Sequence, residues 1–408
     1  MTELLATGMS TVCTIPAGGR PHAGMVRPDE SGDGDAGGAG QPPMNATGVR
    51  VHVHSRLRRR YLAEVIAPLA RELADRPEPP ARIHLATGWR FGPHFDLRAD
   101  ARPGHPVDWQ AIGDALAEGA AGFPIGVSEA EYLRTATLLG RIEAVPPPYL
   151  PRHPHGHTEL LAPDDSPVWQ GRLGLLRARG LAHLLAPLID AAGAGSEGAV
   201  LARVAEAFLA LAATHPHGLR FGTFSFRSHA EAFFHWAAPA ADYRTAFDNR
   251  MGKDRAVLEE LVRRIRDGRP GAPAAEWQHA FHACMSEFAS QVSDHDLDRA
   301  APPGAAPSRP REDRREDRRE NPREGPREGQ SAFHAAVAAS GVIDESPQWF
   351  AGYRLTINLF YELLPALDIS PVRRFYLCHA IAQCVDAVFG ETWETRLAAV
   401  EAHLAGSR

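Results

Sequence analysis

The chain has 408 residues, of which 44% are hydrophobic and 23% are charged, and its formal net charge is −6. This length allows one large domain or two ordinary ones. The composition shows neither the basic excess typical of nucleic-acid-binding proteins nor the acidic excess of a disordered, solvating chain. Lys253 is the only lysine and lies in a polar run, so we expect no Schiff-base chemistry through lysine.

The cysteines and the apolar stretches both favour a cytoplasmic protein. Cys13, Cys284, Cys378 and Cys384 are too scattered for a disulfide framework or a zinc pattern, and they are expected to be reduced thiols. No stretch reaches the roughly 20 apolar residues of a membrane span. The N-terminus also lacks the basic and apolar regions of a signal peptide.

The first ordered elements are predicted to form a small sheet. Residues 1–48 are rich in Gly and Pro and are predicted to be disordered. Apolar and polar residues alternate over 49–55, which predicts a strand, and a helix over 57–75 follows, with a kink or break at Pro68. Two further alternating strands, at 82–87 and 94–99, flank the turn GWRFGP. This order predicts a small sheet with a crossover helix.

The remainder of the chain is predicted to be mostly helical. A Pro- and His-rich stretch at 146–167 is predicted to be a loop, and a run of alternating Arg and acidic residues at 299–330 is predicted to be a disordered insertion. The fold class is therefore α+β, with a single, mostly helical domain over 49–405 and a small N-terminal sheet. The predicted helices are 107–121, 128–142, 172–192, 198–213, 228–237, 243–267, 275–297, 347–364, 371–389 and 391–404.

The segment FSFRSHAEAFFHW contains the first group of candidate site residues. Ser228 and Glu231 match the capping box that opens a helix, so Ser228 is interpreted as a cap and not as a nucleophile. Arg227 and His229 would then be two basic groups at a helix N-terminus, which is locally unfavourable. They are candidates for binding a carboxylate or an amide oxygen, with Ser225 assigned to substrate binding, unless the basic side chains simply face solvent.

The helix predicted at 371–389 carries a second polar group. Tyr376, His379, Gln383 and Asp386 are spaced to share one face. That face contains no Glu, Lys or Arg, which disfavours a fully solvated surface. His379 is the candidate general acid or base, and Gln383 is the candidate for orienting a substrate amide.

The helix predicted at 347–364 carries a row of hydrogen-bond donors. Arg354, Asn358 and Tyr361 fall at i, i+4 and i+7, and Tyr353 lies beside them. Such a row suits peptide carbonyl groups or a developing oxyanion. The alternative is an internal hydrogen-bond network that ties two helices together.

The remaining patterns are weaker. Arg90, in the turn between two strands, is a candidate ligand for a carboxylate, unless it lies in solvent. The run HPHGH and the pair His279 and His282 come without a compact set of carboxylates or thiolates, so no metal site is predicted. The sequence has no phosphate loop, nucleophile elbow or dinucleotide fingerprint, so no cofactor is predicted.

Three segments together resemble a known family. They are LAEVIAPLARELADR…IHLATGWRFGPHFDLR, SFRSHAEAFF and YRLTINLFYELLPALDISPVRRFYLCHAIAQCVDAVFG. In this order, over about residues 50–395, they resemble the stand-alone proteins that are similar to the C-terminal domain of lantibiotic dehydratases, also called thiopeptide-type bacteriocin biosynthesis proteins. The segments SFRSHAEAF and LCH are most similar to those of thiopeptide pyridine synthases. The resemblance implies the fold of the lantibiotic dehydratase elimination domain.

The resemblance implies one of two cofactor-free activities on a modified precursor peptide that carries a leader. One is elimination of glutamate from glutamylated Ser or Thr. The other is a formal [4+2] cycloaddition of two dehydroalanines, followed by loss of water and of the leader peptide. Elimination domains commonly carry a His-rich H-x-H…N-R pattern on the last long helix, whereas here only His379 is present, so the sequence favours the cyclase. His379, Arg90 and Arg98 could still serve an elimination.

For the cyclase, Tyr353 and His379 are the expected proton-transfer pair. Arg227, His229 and Arg354 are expected to hold carbonyl oxygens, and Arg90, Ser225, Asn358, Tyr361 and Gln383 are expected to contact the substrate. The strand at 49–55 has an edge-like position and could bind the leader peptide by strand addition. A partner dehydratase or cyclodehydratase of the same pathway is also implied. An alternative of another class is a non-catalytic protein that binds the leader peptide.

Overall fold

The computed structural model describes residues 46–100, 105–142, 145–163, 171–237, 242–293, 296–297, 331–340 and 348–406. The predictions for the insertion at 299–330, for Cys13 and for nearly all of the extension at 1–48 lie outside these ranges. No helix in the described ranges is long and apolar enough to cross a membrane.

Four antiparallel strands form the sheet. They are β1 (Gly48–His52), β2 (Arg82–Gly88), β3 (His94–Asp100) and β4 (Thr158–Leu161), in the order β2-β3-β1-β4. The alternation that predicted β1 places Val49 and Val51 in the hydrophobic core, with Arg50 and His52 on the opposite, polar face. The sheet is therefore apolar on one side and polar on the other.

The expected edge position of β1 is wrong. β1 pairs with β3 along one side, where Val51 lies opposite Phe95, and with β4 along the other, where Val51 lies opposite Thr158. Strand addition needs unpaired backbone groups, so β1 cannot accept a leader peptide in this way. β4 itself lies within the stretch that was predicted to be a loop.

The first helical segment contains the predicted break. It consists of α1 (Arg58–Tyr61), a π-helical turn (Leu62–Ile66) and α2 (Ala67–Ala74). The backbone N–H of Ala67 donates to the carbonyl of Leu62, and Pro68, which has no N–H, follows directly. Pro68 therefore lies in the first turn of α2, where a missing N–H is tolerated, and the helix changes register just before it.

Helices make up most of the rest. Seven of the described helices begin directly after an Asp, Ser or Thr whose side chain accepts a hydrogen bond from the backbone N–H three residues on. The helices are α3 (Trp109–Ala121), α4 (Glu129–Ile142), α5 (Gly171–Ala192), α6 (Glu197–Ala213), α7 (Leu219–Ala237), α8 (Tyr243–Arg266), α9 (Ala272–Phe288), α10 (Ala332–Ser340), α11 (Gln348–Leu363), α12 (Pro371–Phe389) and α13 (Trp393–Gly406).

The helices enclose α12. This helix packs against α6, α7 and α8, while α9 packs against α5, α6 and α11. α5 contacts β2, and α3 contacts β1 and β4, so the sheet and the helical body share one hydrophobic core. The predicted fold, a mostly helical α+β domain with a small sheet, is confirmed.

Candidate active site

A hydrogen-bonded chain of three side chains links α7, α11 and α12. Nδ1 of His229 lies 3.1 Å from the hydroxyl oxygen of Tyr361 on α11. That hydroxyl oxygen lies 3.2 Å from Sγ of Cys378 on α12. The imidazole is half-buried, whereas Tyr361 and Cys378 are buried, so the chain runs from a partly accessible group into the core.

Two guanidinium groups surround this chain. The guanidinium of Arg374, which is buried, lies 4.8 Å from the ring centre of Tyr361. Arg354, which is half-buried on α11, also acts electrostatically on His229. The region is therefore suited to an oxygen atom that gains negative charge.

The pKa values of the pair are shifted in opposite directions. Burial, reinforced by the positive charges of Arg374 and Arg354, lowers the pKa of His229 to about 3. Burial, with a further contribution from Cys378, raises the pKa of Tyr361 well above its ordinary value. Both groups are therefore neutral at pH 7. Because Nδ1 of His229 is engaged by Tyr361, Nε2 is the nitrogen that remains to exchange a proton with a substrate.

Two more predicted residues extend this region. Ser225 precedes His229 by one helical turn on α7, and Asn358 lies between Arg354 and Tyr361 on the same face of α11. Both side chains are half-buried. The structure thus brings His229, Arg354 and Tyr361 together, with Ser225 and Asn358 on the same helical faces.

The capping-box interpretation of Ser228 is wrong. α7 begins at Leu219, directly after Gly218 with φ +75°, so Ser228 lies in the third turn of the helix. Its hydroxyl lies 2.9 Å from Nε2 of His334 on α10, and Glu231 accepts a hydrogen bond from Arg244. The apolar residues before Ser228 continue the helical pattern, so the S-x-x-E spacing falls inside a helix and not at its start.

Tyr353 is buried and bonds to the backbone of neighbouring helices. Its side chain is fully buried, and its hydroxyl donates towards the carbonyl oxygens of Gly222 and Leu211, at 3.3 and 3.4 Å. Burial raises the pKa of Tyr353 far above its ordinary value. These contacts join α11 to α6 and α7. They form the internal hydrogen-bond network that was the alternative to a substrate-binding role for this helix.

Arg227 is also engaged within the protein. Its guanidinium forms an ion pair with Asp386 on α12, and Arg396 on α13 binds the other oxygen of the same carboxylate. All three side chains are largely buried. Arg227 therefore helps to hold three helices together, and its positive charge is directed at a carboxylate of the protein itself.

His379 lies in a second polar region, between α8 and α12. Its Nε2 is 2.7 Å from Oδ1 of Asp248, and its ring meets that of Phe234 at 5.2 Å. Burial lowers the pKa of His379, although Asp248 opposes this shift. One turn earlier, Tyr376 donates to Asp254 at 2.6 Å. The polar face of α12 is thus covered by neighbouring helices, as its lack of Glu, Lys and Arg indicated.

The structure does not support the expected pairing of Tyr353 with His379. Tyr353 meets α7 at Gly222, whereas His379 meets it at Phe234. Twelve residues of helix separate these contacts by roughly 18 Å, because an α-helix rises 1.5 Å per residue. The two side chains are therefore too far apart to act on one amide group.

The last two predicted residues lie apart from His229. Gln383 is half-buried, one turn beyond His379 on α12. Arg90 is exposed in the turn between β2 and β3, with its guanidinium 5.0 Å from the ring centre of Phe91. A cavity of about 850 Å³ also lies elsewhere, between α2, the start of β2, α5 and α9.

Sequence reasoning missed three residues of the His229 region, Cys378, Arg374 and His334. Arg374 and Cys378 share one face of α12 at i and i+4, and this spacing could have predicted that they act together. The helix that carries His334, α10, was not predicted. Cys284, Cys378 and Cys384 are buried free thiols, as expected.

Comparisons with known proteins support the fold. No family model matches the sequence, and no curated protein matches it. The structure is similar to the pyridine synthase TbtD from thiomuracin biosynthesis, with a TM-score of 0.60 and 18% identity over 85% of this chain and 99% of that chain. It is also similar to TsrL, with a TM-score of 0.56 and 17% identity over 86% of this chain and 97% of that chain. The fold implied by the resemblance is therefore confirmed.

Proposed function

We propose that the protein matures a ribosomally made peptide by a formal [4+2] cycloaddition of two dehydroalanines, with release of the leader peptide. The observation that carries the proposal is the neutral pair of His229 and Tyr361, flanked by Arg354 and Arg374. The similarity in fold to a pyridine synthase supports it. The substrate is a dehydrated precursor peptide in the cytoplasm, and the reaction needs no cofactor.

The first step is conversion of an amide to its iminol. One dehydroalanine and the preceding amide must become a 2-azadiene, which requires transfer of a proton from the amide nitrogen to the carbonyl oxygen. In the proposed mechanism Nε2 of His229 takes the proton from the amide nitrogen and returns it to the carbonyl oxygen, because Nδ1 is engaged by Tyr361. Tyr361 orients the imidazole through its hydrogen bond to Nδ1 and acts as a positioning residue.

The next steps balance without an oxidant. Two carbon–carbon bonds form between the azadiene and the second dehydroalanine. The iminol hydroxyl leaves as water, the leader peptide leaves as its carboxamide, and the ring becomes aromatic. Arg354 is proposed to hold the oxygen that leaves, since a guanidinium stabilises developing negative charge. Ser225 and Asn358 are proposed to hold the two alkenes together through the peptide backbone, and such positioning can supply about 7–11 kcal/mol.

Elimination of glutamate is less well supported by the arrangement. Arg98 lies on β3 and donates to Thr47 and Ala162, and Arg90 lies in the turn before β3, whereas His379 lies between α8 and α12. The three groups that could have served a glutamate lyase are thus on different parts of the molecule.

The test is incubation with two peptides that carry the same leader. One contains two dehydroalanines and the other contains glutamylated Ser, and mass spectrometry follows the products. We expect cyclised peptide and leader carboxamide from the first, and no loss of glutamate from the second. His229→Ala is expected to slow the reaction by about 10²–10⁴-fold, which is the range of general acid–base catalysis.

The matched control is His235→Ala, because His235 is exposed on the same helix. It is expected to retain full activity. Loss of glutamate would instead identify a lyase. Full activity of His229→Ala would show that His229 is not the acid–base group, and peptide binding without turnover by the unaltered protein would favour a leader-binding partner.

A further inference from the structure

A cluster of histidines lies on the polar face of the sheet. His52 is the last residue of β1, Glu159 belongs to β4, and His153 and His157 come from the loop that leads into β4. Nε2 of His153 lies 3.1 Å, that of His157 lies 3.5 Å and that of His52 lies 4.0 Å from the Glu159 carboxylate. Three imidazoles therefore direct a nitrogen at one carboxylate.

We propose that His52, His153, His157 and Glu159 bind one zinc ion. Three imidazoles and a carboxylate are ligands that zinc takes, and four protein ligands form the closed tetrahedral set of a structural site. The ion would join β1 to β4 and to the loop that leads into β4, about 100 residues later in the sequence. It would thus stabilise the sheet and not take part in the reaction proposed above.

The spacing of the donor atoms fits such a site. Zinc–ligand bonds of 2.0–2.1 Å place the corners of a tetrahedron about 3.3–3.4 Å apart. Nε2 of His153 and of His157 lies 3.1 and 3.5 Å from Oε1 of Glu159, close to that value, and Nε2 of His52 lies 4.0 Å from Oε2. The donor atoms of His52, His153 and Glu159 are all within 4.8 Å of one another. The rings of His153 and His157 are stacked in parallel with their centres 4.8 Å apart, so one of them must rotate before both can bind the same ion.

His52 provides independent support. Its side chain is 1% exposed, and neither ring nitrogen has a hydrogen-bond partner among the described residues. A buried polar atom without a partner destabilises the folded protein. Gly92, with φ +119°, brings the β2–β3 turn close to Nδ1 of His52, which leaves Nε2 facing Glu159. A metal ion at Nε2 would use the lone pair that the protein itself leaves unused.

The nearest competing charge is engaged elsewhere. Nη1 of Arg50 is 3.8 Å from Oε2 of Glu159, but its Nε and Nη2 donate to Asp96 at 2.7 and 2.9 Å. His153 and His157 both face the other oxygen, Oε1. Nε2 of His52 lies nearest Oε2, so the proposed ion would lie between the carboxylate and the three imidazoles.

The spacing of His157 and Glu159 in the sequence indicates this site, although no metal site was predicted there. Glu159 follows His157 by two residues, and residues two apart point to the same face of an extended chain. β1 carries His52 on the same face of the sheet, opposite His157 across the β1–β4 pair. The ligands in β4 and in the loop before it are close in sequence, whereas His52 reaches them only when β1 pairs with β4.

The test is metal binding by the full-length chain purified without a histidine tag and stripped with a chelator. Zinc is titrated in competition with a chromogenic chelator, and cobalt replaces it to report coordination by visible absorption. We expect one equivalent per chain, a tetrahedral cobalt spectrum and a higher melting temperature with zinc. His153→Ala and Glu159→Gln are each expected to weaken zinc binding by more than ~10-fold.

The matched control is His105→Ala, which removes an exposed histidine that pairs with Glu78 outside the cluster. It should bind zinc as the unaltered protein does. Both cluster variants alter partly exposed side chains and should fold, which circular dichroism verifies. Absence of stoichiometric binding, or equal binding by the unaltered chain and both cluster variants, would overturn the proposal.

Discussion

Asp386 carries one negative charge between two arginines that have little contact with solvent. The exposed fractions of the side chains are 13% for Asp386, 7% for Arg227 and 2% for Arg396. Burial raises the pKa of Asp386, while both guanidinium groups oppose the shift. A group of this kind contributes little net stability when intact, but removal of its shared charge leaves two buried cations unpaired.

Asp386→Asn is therefore expected to destabilise the fold by about 3–5 kcal/mol. Urea unfolding followed by circular dichroism measures this change. Glu64→Gln is the control, since Glu64 and Arg60 form an ion pair in which both side chains are about half exposed, and its loss should change the stability far less. Equal effects of the two substitutions would contradict the structural role given to Asp386.

Helical spacing predicted part of the candidate site and could not predict the rest. The row of Arg354, Asn358 and Tyr361 is local to one helix, so the sequence showed it directly. Spacing on one helix does not reveal which side chain faces which helix, and Tyr353, next in sequence to Arg354, points into the core. His229 and Tyr361 are 132 residues apart, and only the packing of α7 on α11 shows that they meet.

The contact between α6 and α7 depends on a glycine. A Cβ atom on Gly222 would lie 2.1 Å from the carbonyl oxygen of Ala212, which is backbone and cannot move aside cheaply. The carbonyl of Gly222 also accepts the hydrogen bond from Tyr353. This close approach fixes the position of α7, and α7 in turn carries His229.

Gly222→Ala is expected to displace α7, destabilising the protein by about 1–3 kcal/mol, as overpacking does, and lowering the activity that depends on His229. Gly252→Ala is the matched control in α8, where a Cβ atom meets no neighbour. It should be neutral or stabilise by up to ~1 kcal/mol, because alanine favours helices more than glycine does. Thermal unfolding compares the two variants, and a stable, fully active Gly222→Ala would refute the argument.

Most elements were predictable because their signals are local. Proline and caps end or begin helices within a few residues of the predicted bounds, as at Pro371 in α12. The start of α7 and the strand β4 were both predicted wrongly, and for the same reason. α7 begins nine residues earlier than predicted, at Leu219, and β4 was missed, because both depend on neighbours that are remote in sequence.

Across the whole molecule, buried histidines couple stability to pH. Burial lowers the pKa of His84 to about 3, that of His215 to about 4 and that of His229 to about 3. Below the ordinary pKa of 6.5, the unfolded chain binds protons that these folded groups do not, so stability falls as the pH is lowered from 6.5 towards 3. Asp368 acts in the opposite direction, since burial raises its pKa to about 6.

The urea midpoint is therefore expected to fall between pH 7 and pH 5. The histidines whose pKa is lowered to about 3 or 4, which also include His54 and His94, outnumber the aspartate whose pKa is raised to about 6. His84, which is buried, can contribute up to ~1.4 kcal/mol per pH unit. His84→Gln should reduce the pH dependence, whereas His105→Gln, at an exposed position, should not. A midpoint that rises on acidification would show that the carboxyl groups dominate.

The central position of β1 also has a consequence for biosynthesis. β1 ends at His52, but its partner β4 ends at Leu161, roughly 110 residues later. At about 5–20 residues per second, a ribosome needs about 5–20 s to make the intervening chain. Until then β1 can pair only with β3 and exposes its other edge, so the nascent chain should depend on chaperones most during this interval. Slower translation would lengthen the interval, and a shortened chain that begins after β1 would leave β3 and β4 without the strand that joins them.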